Sequence, residues 1–230
     1  IFMIIWLASY PKSGNTFVRA FLSAYYFSKN GEFDFSQISR IDQFPHEKYF
    51  KEKVNSINEA SKQWVPIQKE INKDRKIRFF KTHSFLGNYE GNQFTSPETT
   101  LGAIYIVRDP RNVLSSLKNH YSFDDNKALE MIKDKTRSLM SNNGSHASLT
   151  YISSWAENYL SWFSNNQFRR LFVKYEDLIT NKYETFRDII VFTNTLMNKV
   201  EGVNKSKLQK AIETTNFDVL KKKEVSETFD

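Results

Sequence analysis

The hydrophobic positions of the chain form several apolar runs of strand length. Residues 1–7 are rich in β-branched side chains, and residues 101–107 are almost wholly apolar, which is typical of a central strand in a parallel sheet. Two shorter segments, at 78–80 and 170–173, each begin with an arginine and continue with apolar residues, and they indicate further strands. The pattern therefore predicts a sheet whose strands are buried on both faces.

Helical spacing follows the first run. Apolar residues recur there every three or four positions, at Phe17, Val18, Phe21, Leu22, Ala24 and Tyr25. Gly14 lies at the predicted bend, and Asn15 and Thr16 are residue types that favour the N-cap. Residues 183–197 predict a second helix against the sheet. The order of elements predicts an α/β fold in three layers, with a central parallel sheet between helices and a P-loop-like phosphate turn.

Composition narrows the class of protein. With 230 residues, of which 40% are hydrophobic, residues 1–230 are expected to form one domain. A net charge of +7 and a pI near 9.3 favour anionic partners. The basic residues are scattered, which argues against an extended nucleic-acid surface. The chain has no cysteine, which fits a reducing compartment, and the first apolar run is too short to span a bilayer. We therefore expect a cytoplasmic protein without a membrane span.

The turn between the first strand and the first helix predicts an anion site. Free backbone N–H groups and the positive end of the dipole lie at a helix start. Lys12, Ser13 and Thr16 add donors to them. Lys12 precedes the glycine, unlike the lysine of the usual nucleotide-triphosphate loop, so a shorter cradle around one phosphate is expected. The alternative is an ordinary turn with a solvated lysine.

Lys81 and His83 stand at the end of the predicted strand around 78–82. Ligands of open α/β sheets bind at the carboxyl ends of the strands, so both side chains should lie near the first turn. A histidine there can abstract a proton near neutral pH. A structural or solvated histidine is the alternative.

Arg108 ends the most apolar strand and is followed by Asp109 and Pro110, which suit the N-cap and first position of a helix. Ser116 lies two helical turns beyond Asp109, on the same face. Arg108 and Ser116 are therefore candidates to bind one anion together. An Asp-capped helix with an exposed arginine is the alternative.

These segments resemble, in order, the motifs of the cytosolic-type sulfotransferase family. The matching stretches are Tyr-Pro-Lys-Ser-Gly-Asn-Thr-Phe (10–17), Phe-Lys-Thr-His (80–83), Ile-Val-Arg-Asp-Pro-Arg-Asn-Val-Leu-Ser-Ser (106–116), Val-Lys-Tyr-Glu-Asp-Leu (173–178) and Thr-Asn-Phe (215–217). Residues 154–162 are similar to a stretch seen in smaller bacterial members. The five ordered matches cover nearly the whole chain.

The resemblance implies a sulfotransferase that moves a sulfuryl group from 3′-phosphoadenosine 5′-phosphosulfate (PAPS) to an acceptor hydroxyl, or to an amine, and releases PAP. The implied general base is His83, with Lys12 and Lys81 beside the transferring group. The implied donor-binding residues are Lys12, Ser13, Gly14, Asn15, Thr16 and Phe17 for the 5′-phosphosulfate, Arg108 and Ser116 for the 3′-phosphate, and Tyr175, Thr215 and Phe217 for the adenine.

The chain departs from the family pattern at three places. Phe17 replaces the usual Trp and is expected to pack or stack, and Asn15 replaces the commoner Thr and is expected to cap the helix. The C-terminal Arg-Lys-Gly segment that closes over the 3′-phosphate has no counterpart before Asp230, so this loop is expected to be missing from residues 1–230. The family's dimerisation motif lies in the same region, so the oligomeric state stays open.

The acceptor has no recognisable code in the sequence, and sugar, lipid, phenol and peptide-linked hydroxyls all remain open. Its pocket is expected to be built by residues 29–76 and 122–150. Within the latter, residues 122–148 are equally consistent with a mobile lid and with a solvated surface helix.

Two other classes of function remain. A P-loop small-molecule or nucleotide kinase would share the fold but would need a Gly-Lys-Ser/Thr turn and magnesium ligands. A non-catalytic nucleotide- or polyanion-binding protein would keep Lys12 and Arg108 but would have no use for His83. No metal-ligand cluster is recognisable, and sulfuryl transfer is expected to need no divalent metal because sulfate carries less charge than a terminal phosphate.

Overall fold

A five-stranded parallel sheet lies at the centre of the computed structural model, which describes residues 3–139 and 149–216. The spatial order of its strands is β2-β3-β1-β6-β9. Two short antiparallel pairs, β4–β5 and β7–β8, lie outside it. In chain order the strands are β1 Ile4–Ser9, β2 Asp42–Gln43, β3 Arg78–Thr82, β4 Asn88–Tyr89, β5 Asn92–Gln93, β6 Thr100–Val107, β7 Ser138–Leu139, β8 Thr150–Tyr151 and β9 Arg169–Lys174.

Helices cover both faces of the sheet. Among the residues that the structure describes, 3₁₀ segments at Phe35–Arg40, Glu47–Tyr49 and Asn72–Asp74 connect other elements. In the described part of the chain the α-helices are α1 Asn15–Phe27, α2 Ile57–Ser61, α3 Trp64–Ile71, α4 Pro110–Tyr121, α5 Asp125–Lys133, α6 Trp155–Phe163, α7 Tyr175–Thr180, α8 Lys182–Leu196 and α9 Lys205–Thr214.

Side-chain alternation along β1 explains the layers. Ile5 and Leu7 pack with α1, α8 and α9 on one face, whereas Ile4 and Trp6 pack with α2, α3 and α6 on the other. Trp6 also donates its indole N–H to Thr100 Oγ1 at 2.9 Å, so its polar atom is satisfied in the core. Burying such a side chain contributes roughly 1.5–3 kcal/mol. The central sheet between two helical layers confirms the predicted three-layer α/β fold.

The predicted strands and helices lie close to their expected positions. The strands predicted at 101–107 and 170–173 are β6 and β9, and the helix predicted at 183–197 is α8. Asp109 caps α4 by accepting a hydrogen bond from the N–H of Arg111, with Pro110 in the first turn, as predicted. Of the proposed lid at 122–148, the described part contains α5 and β7, which pairs with β8, and residues 140–148 lie outside the described residues.

Candidate active site

Four neighbouring strands of the sheet end at the same edge, and a candidate residue follows or ends each. The turn at 10–14 follows β1, Lys81 and His83 lie at the end of β3, Arg108 follows β6, and Tyr175 follows β9. All four strands are parallel, so their carboxyl ends lie side by side. This is the edge at which open α/β sheets bind ligands.

The turn after β1 depends on left-handed backbone at two positions. Lys12 has a φ of 64° and Gly14 a φ of 92°, and Gly14 is the N-cap of α1. The prediction that Asn15 or Thr16 caps this helix was wrong. The helix begins one residue earlier, and Asn15 Nδ2 instead donates to Leu7 O at 3.1 Å and to Ser9 Oγ at 3.2 Å. With no side-chain cap at Gly14, the first N–H groups of α1 stay available to an anion.

Tyr175 explains why the turn needs glycine at position 14. A Cβ on Gly14 would lie 2.8 Å from Tyr175 Cε2 and closer still to Cδ2. The guanidinium of Arg108 lies 4.3 Å from the centre of the same ring, and Arg108 Nη1 donates to Lys12 O at 2.8 Å. Residues that follow β1, β6 and β9 thus contact one another around the turn at 10–14.

Two hydrogen-bond donors in or beside this turn are buried without a hydrogen-bond partner among the described residues. They are Ser13 Oγ and Arg108 Nε. Leaving a buried donor unpaired costs about 1–3 kcal/mol, so such atoms are rare unless a ligand or water completes them. The orphaned hydroxyl and guanidinium nitrogen, next to Lys12 and the start of α1, fit an anionic group.

His83 has a defined tautomer. Its Nδ1 lies 2.8 Å from Ser9 O, and because a carbonyl oxygen only accepts, Nδ1 carries the proton. The lone pair is therefore on Nε2. Burial, with the charges of Lys81 and Lys12, lowers the pKa of His83 to about 3, so the ring is neutral at physiological pH. A neutral imidazole with a free Nε2 is suited to accept a proton.

Lys81 lies in a cluster of cations. Its Nζ donates to Gln43 Oε1 at 3.0 Å across the β2–β3 pairing. Burial, followed by the charges of Arg19 and Lys12, lowers the pKa of Lys81 to about 8. Arg19 in turn donates from Nε to Ile41 O at 2.6 Å. Three like charges held close together favour a bound anion between them.

Comparisons with known proteins identify the family of the chain. The sulfotransferase domain family matches residues 4–229 of the chain. The chain belongs to the sulfotransferase family. Compared with curated protein sequences, it has no significant match.

A solved structure supports the fold of this chain. It is retinol dehydratase in complex with retinol and PAP, which superposes with a TM-score of 0.53 at 15% sequence identity. The alignment covers 94% of this chain and 65% of the retinol dehydratase chain. At this level of identity the match concerns the fold. In residues 3–139 and 149–216, no helix has the length and apolar character to cross a membrane.

The remaining candidate residues of the chain lie farther into the fold or on its surface. Phe17 is buried and packs edge-on against Phe186, at 5.2 Å between ring centres, so the expected packing of this residue is confirmed. Thr16 is exposed, and Ser116 is partly buried on α4. Thr215 is fully buried, and its hydroxyl donates to Ala211 O at 2.6 Å. Phe217 lies outside the described residues.

Several residues that shape the site were not predicted from the sequence. Gln43 accepts a hydrogen bond from Lys81, and Arg19 is the third cation of that cluster. Glu176 Oε1 accepts from the N–H of Asp109 at 3.1 Å, which joins the starts of α4 and α7. Asn158 Nδ2 donates to His83 O at 3.0 Å. Only Glu176 and Asn158 stood in recognised motifs, and no periodicity or spacing assigns a role to the other two.

Proposed function

We propose that this sulfotransferase moves a sulfuryl group from PAPS to the hydroxyl of an acceptor, or to an amine, with His83 as the general base. One observation carries the proposal. The hydrogen bond from His83 Nδ1 to Ser9 O leaves the lone pair on Nε2, in a ring whose pKa is lowered by burial and by the nearby charges of Lys81 and Lys12.

His83 would take the acceptor proton at Nε2. A hydroxyl is a poor nucleophile until a base removes its proton, and general-base catalysis contributes about 10²–10⁴-fold. The neighbouring lysines lower the pKa of His83 in the free protein. An anion between those lysines would offset their charge, which raises the basicity of Nε2 when the donor is bound.

Lys12, Lys81 and the N–H groups at the start of α1 would stabilise the negative charge that develops on the leaving side. PAPS, when bound, supplies the transferable sulfuryl group and the bisphosphate leaving group. If each donor acts as one donor of an oxyanion hole does, its contribution is about 2–4 kcal/mol. Ser13 Oγ, which is buried without a partner in the described residues, adds a further donor at this position.

Arg108 and Ser116 would bind the 3′-phosphate, and Tyr175, Thr215 and Phe217 the adenine, in line with the family resemblance. For Arg108 the support is its unpaired buried Nε and its position over Tyr175. Because Tyr175 packs on Gly14, any contact it makes to the base would couple adenine binding to the phosphate turn. The acceptor pocket would be formed by residues 29–76 and 122–150 within the same domain.

The proposal is tested by transfer of labelled sulfate from PAPS to a panel of hydroxyl and amine acceptors, together with calorimetry of PAP and AMP. We expect PAP to bind at least about tenfold more tightly than AMP, since a charge-assisted contact to a second phosphate contributes about 1.5–3 kcal/mol. Equal affinities for PAP and AMP, with no transfer to any acceptor, would refute it.

The variant His83→Ala separates catalysis from binding. We expect it to lower kcat by about 10²-fold or more and to leave the dissociation constant of PAP unchanged, because the base acts on the acceptor proton and not on the nucleotide. Unchanged turnover would remove His83 from the mechanism.

A further inference from the structure

The segment that carries His83 lies outside the sheet. β3 ends at Thr82, and residues 83–85 have no regular secondary structure. Buried backbone groups of such a segment must find partners elsewhere. The carbonyl of His83 accepts a hydrogen bond from Asn158 Nδ2 at 3.0 Å, and Asn158 lies on α6.

Two more side chains of α6 contact the same segment. Trp162 donates from Nε1 to Ser84 O at 3.0 Å, and Ser161 Oγ accepts from the N–H of Leu86 at 2.9 Å. Positions 158, 161 and 162 are spaced three and four residues apart, so they form one face of the helix. One side of α6 therefore forms hydrogen bonds with the backbone of three residues of this segment, His83, Ser84 and Leu86.

The amide of Asn158 is itself fixed. Its Nδ2 also donates to Ile152 O at 2.8 Å, and its Oδ1 accepts from the hydroxyl of Tyr105 at 2.8 Å. Asn158 is fully buried, and Tyr105 lies on β6, which pairs with β1 on one side and β9 on the other. The side chain of Asn158 thus connects the backbone of His83 to the rigid middle of the sheet, with its orientation set by both neighbours.

We propose that the face of α6 formed by Asn158, Ser161 and Trp162 is a positioning element for His83. Ser9 O accepts a hydrogen bond from the imidazole ring of His83, and Asn158 donates one to the backbone carbonyl of the same residue. This role rests on the proposed function of His83 as base, and it gives a purpose to the sequence stretch at 154–162, to which the proposed mechanism assigns no step. Such support matters because a displacement of about 1 Å at a reacting group can cost 10²-fold in rate.

The first test compares Asn158→Ala with Asn72→Ala. Asn72 is also a buried asparagine that donates to a carbonyl, Thr99 O at 2.9 Å, but at the opposite end of β6. We expect Asn158→Ala to lower kcat by about 10- to 100-fold with the PAP dissociation constant within twofold of wild type, whereas Asn72→Ala keeps kcat. The acidic limb of the pH–kcat profile should shift to higher pH in Asn158→Ala only, because a loosened segment exposes the ring to water.

A readout independent of activity is the ¹⁵N spectrum of the His83 ring. We expect wild type and Asn72→Ala to show the single tautomer protonated at Nδ1, and Asn158→Ala to show a mixture. If wild type transfers no sulfuryl group but the spectra behave as expected, the proposed function fails and the positioning role stands. A wild-type spectrum and wild-type kcat in Asn158→Ala would overturn the positioning role, as would equal losses in Asn72→Ala.

A milder pair of variants, Ser161→Ala and its control Ser28→Ala, tests the positioning role of α6 if Asn158→Ala does not fold. Ser161→Ala removes a hydroxyl that accepts from Leu86 N and donates to Asn158 O, and Ser28→Ala removes one that accepts from Gly31 N and donates to Ala24 O, remote from the site. We expect Ser161→Ala to lower kcat by about threefold or more and Ser28→Ala to leave it unchanged. Equal kcat values in the two variants would overturn the proposed role of α6.

Discussion

The aromatic ring of Tyr175 packs against Gly14 at the turn that precedes α1. No room remains between them, because a Cβ on Gly14 would lie 2.8 Å from Tyr175 Cε2. The guanidinium of Arg108 lies 4.3 Å from the centre of the same ring and donates a hydrogen bond to the carbonyl of Lys12. The shape of the phosphate turn is therefore set by residues from two other strands as well as by its own sequence.

Gly14→Ala should impair both folding and nucleotide binding. Alanine at a φ of 92° is strained, and its methyl group would displace Tyr175 and with it Arg108. We expect the affinity for PAP to fall by at least about tenfold, which corresponds to 1.4 kcal/mol or more. Calorimetry of PAP binding and urea unfolding measure the two effects.

Gly91→Ala is the matched control for this change. Gly91 has a φ of 86°, and a Cβ there meets nothing within 4 Å. It should show the backbone strain alone, about 1–2 kcal/mol of stability, with PAP affinity unchanged. If Gly14→Ala were no worse than Gly91→Ala in either measurement, the contact with Tyr175 would have no functional weight.

The central strands and the start of α4 were predictable from the sequence because both depend on local patterns. The apolar run of β6 and the Asp109-Pro110 start of α4 are set by neighbouring residues. The N-cap of α1 was not predictable, because Asn15 is drawn to the carbonyl of Leu7 and the hydroxyl of Ser9 by the packing of the turn on β1. The local propensity of asparagine favours helix capping, but the side chain of Asn15 forms tertiary hydrogen bonds instead.

The residues that support the site could not be predicted from the sequence for a related reason. Gln43 meets Lys81 only because the two-residue strand β2 pairs with β3 in one register. Asn158 reaches His83 across 75 positions of the chain. Such contacts follow from the topology of the sheet, so neither composition nor motif spacing indicates them.

Ser116→Ala should weaken PAP binding selectively. A hydroxyl that donates to a phosphate contributes about 1.5–3 kcal/mol, so we expect PAP affinity to fall by about tenfold or more with AMP affinity unchanged. Ser115→Ala is the control, since Ser115 is the exposed neighbour on α4 and donates only to its own helix, at Arg111 O. Equal PAP affinities in the two variants would exclude Ser116 from the 3′-phosphate site.

Binding of PAP near pH 8 should be accompanied by proton uptake. The pKa of Lys81 is lowered to about 8 in the free protein, so about half of its ammonium is deprotonated there. A bound anion raises this pKa and draws a proton onto Lys81, whereas at pH 6.5 the group is already charged. Calorimetry in two buffers of different ionisation enthalpy should therefore show uptake of up to about half a proton at pH 8 and almost none at pH 6.5.

Lys81→Gln should abolish this uptake. The control is Lys73→Gln, because Lys73 is an exposed lysine that pairs with Glu70 at 2.6 Å on the surface. It should leave the uptake as in wild type. Persistence of the full uptake in Lys81→Gln would assign the proton to another group.

Acid should destabilise the protein through His83. The pKa of His83 is about 3 in the folded state, against about 6.5 in an unfolded chain, so between these values the unfolded state binds the extra proton. Stability is then lost as the pH falls below 6.5, with a slope of up to about 1.4 kcal/mol per pH unit.

The variant His83→Asn tests this prediction, because it has no group that titrates in this range and its amide can still donate to Ser9 O. We expect wild type to lose about 1–2 kcal/mol more than His83→Asn between pH 7 and pH 5 in urea unfolding. Parallel loss in the two proteins would mean that His83 is solvated and titrates normally, which would also remove the reason for its fixed tautomer.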